Sequence, residues 1–116
     1  MHLKKLIPFI LFALVLGSCS QSSNQQEGIV ALKKADVNNL TEILLIPNTS
    51  EDEISNKNAE ELEDMAKEKD GAYYHFPREE YKNLKIGSKI KVNWDGSQSS
   101  SDPPLRTAEK ITVVSD

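Results

Sequence analysis

Residues 88–94, Ser-Lys-Ile-Lys-Val-Asn-Trp, put an apolar side chain at every second position and a polar one between. Only an extended backbone sends Ile90, Val92 and Trp94 to one side and Lys89, Lys91 and Asn93 to the other, because successive side chains of a strand point to opposite faces. One face is therefore buried and the other wet, and the chain must build a sheet to bury it. Other segments agree. Gly28–Lys34 reads as a strand with Ile29 and either Val30 or Leu32 inward. Ala35–Leu40 has the Asp and Asn of a turn, and Glu42-Ile-Leu-Leu-Ile-Pro47 is a continuous apolar strand stopped by proline, completing a hairpin. Ala72-Tyr-Tyr-His-Phe76 is a third strand, with Tyr74 and Phe76 on one face and Tyr73 and His75 on the other. Asp95-Gly96 reads as the turn that ends the strand at Trp94. Thr107–Val114 is the last strand, with Ile111 and Val113 inward.

One helix interrupts this series. Asn58 is its N-cap and Glu61, three residues on, completes a capping box. Glu60, Glu61, Glu63 and Asp64 crowd the first turns and Lys67 and Lys69 the last, as the helix dipole favours, and Gly71 stops it. Ala59, Leu62, Met65 and Ala66 share one face, so the helix lies on something apolar. The order is β-β-α-β-β-β. Closing such a sheet removes edges that otherwise invite pairing with other chains. The fold expected is mostly β (α+β): a small five-stranded OB-like barrel with one short amphipathic helix, which falls after the second strand instead of the third.

The residues ahead of this domain have a different character. Met1–Lys5 carries Lys4 and Lys5 and no acid, and Leu6–Leu16 is an eleven-residue apolar stretch broken only by Pro8. That is the length of a signal-peptide core, short of the roughly 20 residues that span a bilayer. Leu16, Gly17, Ser18 and Cys19 then resemble a bacterial lipobox: an aliphatic residue, two small ones and a thiol that takes a diacylglyceryl group. The chain accordingly divides into a lipoprotein signal peptide over 1–18, the lipidated Cys19 with a flexible polar tether over 19–27, and a single β-rich OB-like domain over 28–116. Two acyl chains on Cys19 hold a protein stably at a membrane. The membrane is thus its first partner, and the extracytoplasmic face of the cell membrane its place.

Much chemistry falls away with the leader. Cys19 is the single cysteine, so the domain has no disulfide, thiol nucleophile or zinc-thiolate site. His2 leaves too, and His75 alone remains, as a half-exposed strand residue. No G-x-S-x-G elbow accompanies the serines. Loss of Lys4 and Lys5 takes the formal charge from −4 to −6, which repels nucleic acid. The chain is expected to be no enzyme and to need no cofactor and no metal. Glu51-Asp52-Glu53 and the helix raise the question of calcium, but their spacing is not that of an EF-hand loop. Two functions of different class remain. One is a non-enzymatic module that binds a protein or cell-envelope partner through one barrel face. The other is a small-ligand or cation-binding lipoprotein, which needs carboxylates from 51–53, the helix and Asp95 or Asp102 to converge. The candidate binding surface is Trp94, Asp95, Asp102 and Tyr73, although core is the better account of Trp94 and turn chemistry an adequate one of Asp95.

Lys85-Ile-Gly-Ser-Lys-Ile-Lys-Val-Asn-Trp-Asp-Gly96, Ser101-Asp-Pro-Pro104 and Thr107-Ala-Glu-Lys-Ile-Thr-Val-Val114 resemble the C-terminal half of YobA-like lipoproteins. These are small exported proteins of Gram-positive bacteria that share a domain of unknown function. Gly87, Trp94, Asp95, Gly96, Ser101, Pro103, Ala108, Lys110 and Ile111 stand where the family pattern asks. Asp102 departs from it, occupying a position that is aromatic in many members. The resemblance implies a lipoprotein with a small β-rich domain, and it implies no activity.

Overall fold

The computed structural model describes residues 24–35, 38–81 and 83–115. Signal peptide, lipobox and Cys19 lie outside the described residues. The elements are β1 (Asn24–Ala35), β2 (Leu40–Ile46), α1 (Glu51–Ile54), α2 (Ala59–Lys69), β3 (Ala72–Pro77), β4 (Lys89–Gln98) and β5 (Leu105–Ser115). The chain is thus mostly β, a five-stranded sheet with two short helices. Its ladders run β1-β2-β3-β5-β4 and close from β4 back to β1. Every pair is antiparallel except β3 with β5, which run parallel from Tyr73↔Leu105 to His75↔Thr107.

Two apolar layers hold this arrangement. Val30, Ile43, Leu45, Tyr74, Ile90 and Val92 fill the inside of the sheet. Ile29, Leu44, Ile46, Ile54, Leu62 and Ala66 fill the space between its outer face and the helices. The unbroken run Ile43–Ile46 serves both layers by alternation, which is why it shows no polar face. In β1, Val30 is the inward residue, whereas Ile29 turns out beneath the helices.

The helix over 59–69 has the caps its sequence announces. The Asn58 side chain accepts from the Glu61 N–H at 2.9 Å, and the Glu61 carboxylate accepts from the Asn58 N–H at 2.9 Å. The second helix, α1, is a correction to the expectation of one. Ser50 caps it, the hydroxyl accepting from the Glu53 N–H at 3.4 Å, and Ile54 is buried. The S-x-x-E pattern of Ser50 and Glu53 is the signal that announces it.

Four other boundaries differ from the expected ones. β1 begins at Asn24, so residues 24–27, read as tether, are strand paired with β4 from Asn24↔Trp94 to Glu27↔Lys91. Asp95-Gly96 does not reverse the chain. β4 continues to Gln98 through a register shift between Trp94 and Gln98, with Gly96 at φ +93°. Val113 is exposed and not inward, because β3 accompanies β5 only as far as Thr107. The gap beyond Thr107 is filled by Tyr81, whose ring packs edge-on 5.7 Å from Phe76 while its hydroxyl accepts from the Ile111 N–H at 3.2 Å. Finally, the left-handed residue that ends α2 is Asp70, at φ +63°, and not Gly71. Gly71 is required for a different reason, since a Cβ there would overlap the Leu45 carbonyl oxygen.

Candidate functional site

Arg106 joins side chains from across the sheet by three hydrogen bonds and a ring contact. The parallel register of β3 and β5 sets it beside Tyr74, and the end of β4 brings Gln98 opposite it. Its Nη1 donates to the Tyr74 hydroxyl at 2.7 Å and to Gln26 Oε1 at 3.1 Å, and its Nε donates to Gln98 Oε1 at 2.8 Å. Tyr74 in turn donates to Gln26 Oε1 at 2.8 Å. The guanidinium carbon stands 3.9 Å from the centre of the Trp94 ring, so the cation lies against the indole face. Burial pushes the Tyr74 hydroxyl above the usual phenol range, and the Arg106 cation pulls against that shift without cancelling it. Arg106 thus closes one end of the sheet by joining four strands.

Beside it lies a cleft of about 290 Å³ whose wall includes Lys67, Asp70, Ser99, Ser101, Asp102 and Arg106. Its hydroxyls are committed to the fold. Ser99 Oγ accepts from the Leu105 N–H at 3.0 Å and lies 2.6 Å from Ser101 Oγ, which donates to the Pro103 carbonyl at 3.2 Å. Gln26 reaches across to donate to the Asp70 carbonyl at 2.8 Å.

The structure divides the four sequence-derived candidates. Trp94, Asp95 and Asp102 belong to this end of the sheet, with Trp94 packed edge-on 6.5 Å from Tyr74. Tyr73 is elsewhere, buried on the outer face under α2. Its hydroxyl donates to Glu63 and its ring sits 5.1 Å from the Lys34 ammonium. Burial first, and the bond to Glu63 second, push the Tyr73 hydroxyl far above its usual range. His75 is on the outer face too, 2.9 Å from Thr107 Oγ1. Arg106 itself was not legible as a site residue, since its meaning comes only from the register that sets it beside Tyr74.

Asp95 forms a local turn. Its Oδ1 accepts from the Ser97 N–H at 2.9 Å and the Ser97 hydroxyl at 2.8 Å, and these bonds hold its carboxyl below the usual carboxylate range. The anion is what accepts both bonds, so they are intact above that range and are lost as pH falls through the lowered value. Ser97→Ala should move the Asp95 titration upward in a carboxyl-carbon NMR experiment. An unmoved titration would show that the hydroxyl has no part in it.

The acidic cluster of the two helices lines a different cleft. Glu53, Glu61, Asp64 and Glu68 line a cleft of about 450 Å³ between the helices, interleaved with Lys57 and Lys69. Asp102 lines the other cleft, so the convergence a cation site would require is not assembled from these groups. Among the described residues no cluster of three or more Asp, Glu, His or Cys side chains is placed to hold a metal ion.

Comparison with known proteins gives two findings. Residues 27–115 match a family described as "Protein of unknown function (DUF3221)". The fold is similar to the solution structure of a segment of Bacillus subtilis YobA, with a TM-score of 0.57 at 20% identity, over 81% of this chain and 83% of that one. No curated protein matches the chain.

Proposed function

We propose, for a chain that belongs to the DUF3221 family of proteins of unknown function, the role of a membrane-anchored extracytoplasmic lipoprotein whose OB-like barrel is a non-enzymatic docking module for a protein or cell-envelope partner. The Leu16–Cys19 lipobox behind a basic, apolar leader supports the anchor. The strand order with its parallel β3–β5 closure supports the OB-like description, with the helix displaced to follow β2.

The observation that carries the docking role is the separation of two ends. Asn24 pairs with Trp94, so β1 enters where β4 is finishing. Among the described residues, the large apolar side chains left exposed are Ile86, Val113 and Val114, at 55%, 48% and 47% of full exposure. Val113 and Val114 belong to the opposite end, where β4 begins and β5 finishes, as the pairs Lys89↔Ser115 and Ile90↔Val113 show; Ile86 lies apart from them, beside Leu32 and Ile54. Beyond Thr107 the β3 side of β5 meets the Tyr81 hydroxyl and, among the described residues, no further strand. Val113 and Val114, exposed on the part of β5 that follows the Tyr81 contact at Ile111 and has no strand on its β3 side among the described residues, suit an incoming extended segment, which takes main-chain hydrogen bonds from the edge and apolar contact from its side chains.

The test is photocrosslinking in intact cells, with the reactive residue at Val114 of the full-length protein. One dominant adduct with a membrane or wall protein, weakened by Val113→Asp, is the expected result. Only bulk neighbours in the adducts, unchanged by that substitution, would overturn the docking role.

A further inference from the structure

We infer that the loop end of the domain, centred on Gly96–Ser101, faces the headgroup layer of the membrane that holds Cys19. The inference rests on the lipid-anchor reading above and adds to it an orientation. Its basis is length. A tether reaching to residue 27 would let the domain turn over freely, but Asn24 already belongs to β1 and is paired with Trp94. Residues 20–23 are then all that separates the acylated residue from the folded sheet. Five Cα steps reach at most about 17 Å. β1 itself, Asn24–Ala35, spans eleven steps of strand, about 36 Å. The tether is shorter than the strand it feeds. An inverted domain, with Asn24 uppermost, would lift that residue farther from the bilayer than the tether can reach.

Asn24 also fixes which surface comes down. The Asn24 side chain lies against Gly96, where an added Cβ would fall 2.7 Å from its amide nitrogen. The tether therefore emerges beside the loop that follows. That loop, Gly96-Ser-Gln-Ser-Ser-Ser101, carries no charge, in a chain of which 28% of residues are charged. Asp95 and Asp102 flank it, and in the cleft beside it Lys67 and Arg106 stand with Asp70 and Asp102, so the two signs balance there. The dense acidic residues sit instead on α1 and α2, along the flank of β1 and β2. A surface of exposed hydroxyl and amide groups enters a layer of lipid phosphates without the repulsion that the acidic flank would meet. The occupant of this face is the lipid headgroup layer, and the exposed Val113 and Val114 point away from it.

The lone cysteine makes the test direct. Ser100→Cys and Glu80→Cys each add one thiol to a chain whose own thiol is acylated, and both positions are exposed, the second just beyond the Leu40↔Pro77 pair at the end of the sheet away from Asn24 and off the proposed docking edge. Membranes bearing each full-length variant are treated with a bulky maleimide, and rates are divided by those of the same variant in denaturant. Labelling at position 100 should be about tenfold slower than at position 80, because the headgroup layer covers it. Equal rates would overturn the orientation while leaving the anchor intact. Labelling of the wild-type chain at Cys19 would instead overturn the anchor reading itself, so the two failures are told apart by one control.

Discussion

Gly71→Ala should destabilise the domain by about 2–3 kcal/mol, the opposite sign to a glycine-to-alanine change at an unobstructed position. Where the backbone already suits an L-residue, a methyl group stabilises by about 0.4–1 kcal/mol through the unfolded chain. Gly71 is not in the left-handed region, which Asp70 occupies. The obstacle is space. A Cβ at Gly71 would overlap the Leu45 carbonyl oxygen and stand 3.0 Å from the Ala66 Cβ. Both neighbours are held, Leu45 by pairing with Ala72 and Ala66 by its carbonyl bond from the Gly71 N–H at 2.7 Å. Neither can retreat without parting α2 from β2. For a domain of this size the cost lowers the melting temperature by about 10–20 °C. Thermal unfolding followed by circular dichroism measures it, and a raised midpoint would show that the close approach is relieved at no cost.

Arg106→Ala should cost about 3 kcal/mol. The loss has two parts: charge-assisted bonds to Tyr74, Gln26 and Gln98, and the cation on the Trp94 face. Tyr74 and Gln26 keep their mutual bond, so the interior is not left wholly unpaired. Arg106→Lys should recover little of the loss, because an ammonium has no planar fork to reach three acceptors at once. Trp94 is the single tryptophan of the chain, so its fluorescence reports this site alone. Emission should shift to the red in both variants as water reaches the indole. Wild-type emission and stability in Arg106→Ala would mean that the guanidinium is merely parked on the ring. The same variant should raise the Tyr74 titration still further, since Arg106 is what restrains it.

The strands that were legible in the sequence carry a local pattern, either alternation or, in Ile43–Ile46, an unbroken apolar run that both layers bury. Lys89–Trp94 alternates because its lysines point to solvent, and Tyr73–Phe76 alternates because its two faces belong to different layers. The capping box at Asn58 and Glu61 was legible because it is a local bond set, independent of the rest of the fold. What escaped depends on distant partners. Asn24–Glu27 has no apolar residue to mark it as strand, and it is strand because β4 runs alongside and Gln26 is drawn into the Arg106 cluster. Asp95-Gly96 has the composition of a hairpin turn, yet β5 continues to pair with the chain beyond it, at Gln98↔Arg106, and makes it a bulge. Val113 has the right parity to be inward, but β4 alone accompanies it and the β3 ladder has ended at Thr107. Of the candidate surface, Trp94 was legible as apolar, whereas the cation that covers it comes from a residue with no local signature.

The ladder that joins β1 to β4 has a consequence in time. Asn24 meets Trp94, seventy positions later in the chain. A polypeptide made from its N-terminus can fold β1 onto β2 early, but that strand keeps an uncovered edge until β4 has been synthesised and released. Until then the growing chain exposes the apolar layer that Val92 and Ile90 will seal. Such a chain is safest if held by a chaperone until the last third has emerged, and the folded domain is then completed in a single late step.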